Sequence, residues 1–298
     1  MNGVAYALGA YLIWGLLPIY LHLLRGIATP EILAHRIVWS LLTMVLLLVG
    51  LRRLGWIRAA LAQPRTLGRF ALTAALISVN WVLYIWSIKT GHTVDASLGY
   101  FINPLVNVLL GALVFKERLR TGQLLALAVA ALGVLWLTWL AGAPPWIGLA
   151  LAASFSLYGL LRKTAALGAL EGFTVETAVL APLALGYLAW LGAHDTLGFA
   201  SASPTMRVLL VLAGPATTIP LLLFAAGVRR ISFSLMGVLQ YLAPTLQWLT
   251  GIFLFHEAFE PNKAVGFAMI WLALVLFGGE SAWFGWRSAS RGGIAPRG

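Results

Sequence analysis

Apolar runs long enough to cross a lipid bilayer recur ten times along this chain, near residues 4–24, 31–51, 70–88, 93–114, 122–140, 146–161, 173–191, 208–227, 233–255 and 264–284. An α-helix rises about 1.5 Å per residue, so roughly 20 apolar residues cross a hydrocarbon layer of about 30 Å. Inside that layer the backbone must satisfy its own hydrogen bonds, and a helix does so within one segment. The sixth run, Trp146 to Leu161, is the shortest, and the connections are too brief to hide a second, soluble domain. The expected fold is an all-α membrane protein with ten transmembrane helices.

Charge supports this division. Only 10% of the residues are charged, against about 25% in soluble domains. Such a chain could not cover an aqueous surface. With the N-terminus in the cytoplasm, the cytoplasmic segments hold Arg52, Arg53, Arg58, Arg65, Arg69, Lys116, Arg118, Arg120, Arg162, Lys163, Arg229, Arg230, Arg287, Arg291 and Arg297, fifteen in all, and the opposite side holds four, Arg25, Lys89, Arg207 and Lys263. A wrong helix count would scramble that alternation, so the bias supports both ten spans and N-in/C-in topology. The same distribution explains the net charge of +11 as topogenic charge facing anionic headgroups. Nucleic acid is therefore not an expected partner.

Several chemistries are excluded or disfavoured. The chain has no Cys, so disulfides, thiolate catalysis and thiolate metal sites are absent. His22, His35, His92, His194 and His256 are scattered without HExxH spacing, and neither GxSxG nor a GxxxxGK[ST] phosphate loop occurs. His256-Glu257-Ala258-Phe259-Glu260 fits a turn better than a metal site. No enzyme activity, cofactor or metal is expected. Met1-Asn2-Gly3 offers no basic n-region, so the first apolar run is expected to remain as a membrane helix.

The segment from Leu83 to Glu117 aligns without a gap to Leu223 to Glu257, at an offset of 140. Leu83, Pro104, Leu109, Gly111, Phe115 and Glu117 meet Leu223, Pro244, Leu249, Gly251, Phe255 and Glu257. Trp14-Gly15 echoes Tyr158-Gly159. Five spans per half would insert the copies upside down relative to each other. The expected domains are a first five-helix repeat over 1–143, a second, inverted one over 144–286, and a cytoplasmic tail over 287–298. Inverted repeats are a transporter architecture, with the solute near the midplane between the halves. Pro104 and Pro244 cannot donate to the carbonyls of Tyr100 and Gln240, so each helix is expected to kink at a candidate gate.

Polar groups in lipid are costly and turn to a cavity or another helix. Tyr100, Asn103 and Asn107 recur at i, i+3 and i+7, one helical face. Gln240 and Gln247 hold the matching places in the second half, with Tyr241 adjacent. Asn80 and Tyr84 share a face beside Trp81, and the second span carries His35, Arg36 and Trp39. Trp14 lies inside its span as packing or cavity wall. The substrate-binding candidates are thus Trp14, His35, Arg36, Asn80, Trp81, Tyr84, Tyr100, Asn103, Asn107, Gln240, Tyr241 and Gln247. Amides and phenols would orient a polar solute, indoles would give apolar or cation–π contact, and Arg36 could hold a carboxylate. Helix bridging by the amides, or snorkelling by Arg36, is the plainer alternative. Glu31, Asp95, Glu117, Glu176, Glu257 and Glu280 all fall towards span ends, so no mid-membrane carboxylate relay is expected.

The stretches ALGAYLIWGLLPIY, EILAHRIVWS, DASLGYFINPLVNVLLGALVFKERL and QYLAPTLQWLTGIFLFHEAF resemble the drug/metabolite transporter superfamily, in its EamA-type branch and its RarD-like group. The resemblance spans essentially the whole chain and implies a ten-helix basket of two inverted repeats around a central cavity. It further implies export of small organic molecules, amino acids among them, across a bacterial inner membrane. The expected partners are a small-molecule solute and membrane lipid, with the chain read as a monomer. An exporter of other small solutes or drugs, or a channel or lipid flippase of the same architecture, is the alternative.

Overall fold

The structure, a computed structural model, describes residues 3–89, 93–142, 146–255 and 261–292, with the last helix beyond Glu280 and residues 88–89 and 93–98 described by backbone alone. His256 and Glu257, the tail from residue 293, and Gly91 and His92 lie outside the described residues. Every described element is a helix: α1 (Gly3–Leu23), α2 (Thr29–Gly50), α3 (Trp56–Leu61), α4 (Pro64–Lys89), α5 (Thr93–Val114), α6 (Thr121–Ala141), α7 (Trp146–Lys163), α8 (Ala169–Ala193), α9 (Gly198–Ser201), α10 (Pro204–Val228), α11 (Phe233–Gln240), α12 (Leu242–Phe253) and α13 (Pro261–Gly292). Seven are long and apolar enough by composition to cross a membrane, namely α1, α2, α4, α6, α8, α10 and α13. The other apolar runs fall on α5, α7 and the α11–α12 pair.

Local chemistry sets the boundaries. Pro30 sits in the first turn of α2 and Pro204 in that of α10, where a missing N–H costs nothing. Ser203 Oγ accepts from the Met206 N–H, and Ser232 Oγ from the Leu235 N–H, capping α10 and α11. Gly142 ends α6 at φ +71°, a left-handed conformation that glycine adopts freely. The short α3 and α9 lie in the connections between the longer helices.

Contacts along the helix ends define two ends of the bundle. At one, Glu117, just beyond α5, accepts from the Phe233 and Ser234 N–H groups that open α11, at 2.6 and 2.9 Å. Lys163, ending α7, donates to the Val228 and Ile231 carbonyls there. At the other, Glu31 in the first turn of α2 accepts from the Gly198 and Phe199 N–H groups of α9, and His22 stacks on Phe255 at 4.8 Å. Helix α5 therefore ends where α11 begins, and the two run in opposite directions.

Packing is orderly. Helix α2 packs on α8, α5 on α11 and α6 on α13; α5 packs on α7 as α1 does on α11 and α12; α2 packs on α10 as α4 does on α8; α1 packs on α10 as α4 does on α7. Outward faces carry bare Leu183, Val275, Phe253 and Trp139, each 70% exposed or more. Apolar surface of this kind is at ease against lipid tails and not against water.

Candidate functional site

A cavity of about 110 Å³ opens between the helices. Its walls come from α1 (Tyr11 to Leu21), α2 (Arg36), α4 (Ile77 to Tyr84), α5 (Tyr100), α7 (Phe155), α10 (Leu221) and α11–α12 (Gln240 to Gln247). The lining runs from mid-helix toward the end where α1 meets α2. Below it the bundle is sealed by Tyr11, Tyr158, Phe224, Phe233 and Met236, all buried in one apolar cluster, with the Tyr11 hydroxyl donating to the Met236 carbonyl.

Of the sequence candidates, Trp14, Arg36, Asn80, Trp81, Tyr84, Tyr100, Gln240 and Gln247 line this cavity, as does Pro244. Four others sit elsewhere. His35 is buried at the bundle end, its Nε2 3.6 Å from the Glu31 carboxylate, its Nδ1 accepting from Trp39 and its ring beside Phe199. Asn103 lies beneath the cavity floor and accepts from Ser156. Asn107, a turn deeper, donates to the Gln240 side chain at 2.9 Å. Tyr241 and Pro104 line a separate small apolar cavity. Periodicity placed Tyr100, Asn103 and Asn107 on one face, but position along the axis decides their surroundings. Each residue advances about 1.5 Å, so Asn107 lies about 10 Å below Tyr100, where the helices close.

Arg36 dominates the electrostatics. Its guanidinium lies 4.8 Å above the Trp81 ring and donates through Nε to Thr217. No described carboxylate lies within ion-pair distance of it. Tyr84 and Tyr100 meet edge-to-face at 5.5 Å on the facing wall. Asn80 donates to the Leu151 carbonyl and Ser154, and Gln247 to the Trp14 carbonyl. Both amides tie helices together while lining the cavity.

One arrangement escaped the sequence reading. Arg162, counted there among the cytoplasmic topogenic charges, is 1% exposed and lies 3.6 Å from the Glu176 carboxylate, itself 2% exposed. Thr73 and Tyr158 also donate to Glu176. The sequence cue was available: Glu176 falls inside an apolar run, and Arg162 lies directly after the preceding one.

Many apolar helices around a polar, aromatic cavity define a multi-pass membrane protein built to pass a small solute. Comparisons with known proteins agree. The EamA-like transporter family model matches residues 1–139. The chain is 48% identical to the protein RarD of Streptomyces exfoliatus, over 97% of this chain and 91% of that one. It is 44% identical to an uncharacterised transporter of Pseudomonas aeruginosa, over 97% and 96%, and 41% identical to the protein RarD of Escherichia coli, over 93% of each. A protein of known crystal structure superposes with a TM-score of 0.67 over 92% of this chain and 96% of its own, at 20% identity, a likeness of fold alone. The chain belongs to the EamA-like transporter family, as a RarD-like permease of the drug/metabolite transporter superfamily. It is a transmembrane transporter.

Proposed function

We propose that this permease exports small organic metabolites bearing an anionic head and an apolar or aromatic body, amino acids foremost, by alternating access. The observation that carries this reading is Arg36, held over Trp81 in a cavity of tyrosine, tryptophan and amide groups, with no carboxylate within ion-pair distance among the described residues. A solute carboxylate would complete the pair, and the aromatic walls would take its side chain.

The architecture we propose is ten spans in two inverted repeats, 1–143 and 144–286, in a bacterial inner membrane with both termini cytoplasmic. What supports it is the packing order. Exchanging α1, α2, α4, α5 and α6 for α7, α8, α10, α11–α12 and α13 maps every principal contact onto another or onto itself. The antiparallel course of α5 and α11 agrees with that exchange. On this topology the cavity faces outward, and Glu117, Lys163 and the aromatic cluster close the cytoplasmic side.

Counterflow in liposomes tests the reading, with a panel of amino acids, nucleosides and uncharged analogues. At least one carboxylate-bearing solute should be trans-stimulated, and Arg36→Gln should weaken it by about 10- to 100-fold, the worth of a charge-assisted hydrogen bond. Equal exchange of the uncharged analogues would overturn the anion assignment. Conductance without counterflow would favour a channel.

A further inference from the structure

We propose that Glu176 is a proton-binding site that couples transport to the proton gradient, reached from the solute cavity on one side and from the opposite end of the bundle on the other. The inference rests on the transporter reading but concerns residues outside the solute cavity.

Geometry points to this carboxylate from both directions. A small cavity of about 10 Å³ is walled by Glu176, Tyr158 and Thr217, and by Arg36, Ile77 and Trp81, which also wall the solute cavity. Its size is near the lower limit for one water. On the far side, Thr73, which donates to Glu176 at 2.6 Å, lines a second cavity of about 250 Å³ with Thr66, Arg69, Phe70 and Thr164 at the end of the bundle where α4 begins. Glu176 thus stands between two cavities, separated from one by a single hydroxyl and bordering the other directly.

The ion pair around it is poorly made for a purely structural role. A buried pair offsets its desolvation only with close, fully hydrogen-bonded geometry. Here Arg162 Nη1 lies 3.6 Å from the carboxylate, and Arg162 Nε and Nη1 have no hydrogen-bond partner among the described residues. Arg162 Nη2 donates to the Ala169 carbonyl at 3.1 Å, and the guanidinium lies over Phe70, so the arginine is anchored whichever state the carboxyl takes. The charged and titratable groups facing Glu176 are Arg162 and Tyr158 of α7, Arg36 of α2 across the small cavity, and Arg69 of α4 at the mouth of the larger one; α10 brings Thr217, which does not titrate. At the repeat offset of 140, Glu176 also falls opposite Arg36. The two matched places carry opposite charges.

In the proposed step a proton from water in one cavity forms an O–H bond at the Glu176 carboxylate, leaving hydroxide there to be rebuffered. In the alternate conformation that bond breaks to water in the other cavity, and the carboxylate returns to Arg162. One positive charge crosses per cycle and no oxidant or reductant is involved.

The proton itself is the first probe. Infrared difference spectra of the full-length protein in detergent, titrated between about pH 4 and pH 9, span the range in which buried carboxyls titrate. They should show a protonated-carboxyl band that vanishes in Glu176→Gln, returns in Glu176→Asp, and persists in Glu31→Gln and Glu117→Gln. Thr73→Val, which removes one hydrogen bond, should shift the frequency of that band even if Glu176→Gln fails to fold. No titrating band, a band that survives Glu176→Gln, or an unshifted frequency in Thr73→Val overturns the assignment. In liposomes, an imposed pH gradient should speed uptake of radiolabelled phenylalanine by wild type and not by Glu176→Gln, while exchange at equal pH persists in both. Equal acceleration of both overturns the coupling. Loss of phenylalanine exchange in wild type with the infrared band intact strikes the choice of solute in the transporter reading and leaves the proton site standing.

Discussion

Helix α5 and the α11–α12 pair carry sequence that aligns at an offset of 140, each with a proline at the same place, yet only the second is broken. Pro104 lies inside a continuous helix, whereas the helix before Pro244 stops at Gln240 and resumes at Leu242. The missing donor is the same in both, so the proline alone does not break a helix. The neighbours differ. Thr245, one residue beyond Pro244, turns its hydroxyl back to the Tyr241 carbonyl at 2.8 Å and accepts from the Trp271 indole at 3.0 Å. Back-bonding of this kind bends a helix. The matching residue after Pro104 is Leu105, which has no hydroxyl to offer. On the other face, Gly237 rests so close to α5 that an added Cβ would stand 2.8 Å from the Pro104 carbonyl and from Asn107. Helix α11 thus lies directly against the level of α5 at which a kink would open. Matched sequence gave two different helices because their surroundings are not matched.

Four measurements would break or sharpen this contrast. Gly237→Ala should have the largest effect, lowering stability by about 1–3 kcal/mol through overpacking of α11 on α5. Gly186→Ala, where nothing lies within 4 Å, should stay within about 0.5 kcal/mol. Thermal unfolding in detergent compares the two. Next, Asn107→Ala leaves the Gln240 side chain without its donor and should cost about 1–2 kcal/mol, while the double replacement with Gln240→Ala should cost less than the sum of the singles. Third, Pro244→Ala restores a donor for the Gln240 carbonyl and should heal the break, slowing turnover about tenfold, equivalent to roughly 1.4 kcal/mol in the barrier. Pro104→Ala should change turnover less than Pro244→Ala, and the reverse order would place the moving joint in α5. The smallest effect is expected of Thr245→Val, about 1 kcal/mol or less in unfolding, with straightening of the α11–α12 junction read by electron paramagnetic resonance distances across it.

The lining of the proposed solute cavity was partly legible. Trp14, Trp81, Tyr84 and Tyr100 could be found because large polar-tipped aromatics inside apolar runs seek an amphipathic wall, and the structure sets them around one. Asn103, Asn107 and Tyr241 share faces with cavity residues but lie below the floor or behind it. A sequence face carries an angle, not a depth relative to neighbouring helices. His35 was read as a substrate-binding candidate, and its ring is held by Glu31, Trp39 and Phe199 at the bundle end. Arg162 was misread for the opposite reason. A basic residue at the end of an apolar run is usually topogenic, and only the fold brings Glu176, Thr73 and Tyr158 around this one.

The sequence by itself determined the solvent and the local structure. Long apolar runs with few charges require helices in lipid, and the hydrogen bonds that form them close within each segment. The tertiary structure decided which proline-bearing helix breaks, which arginine has no described carboxylate beside it, and which carboxylate lies near two cavities. Those outcomes depend on contacts between different helices, some far apart in sequence, as Thr73 is from Glu176 and Gly237 from Pro104, which the pattern of any one segment does not encode.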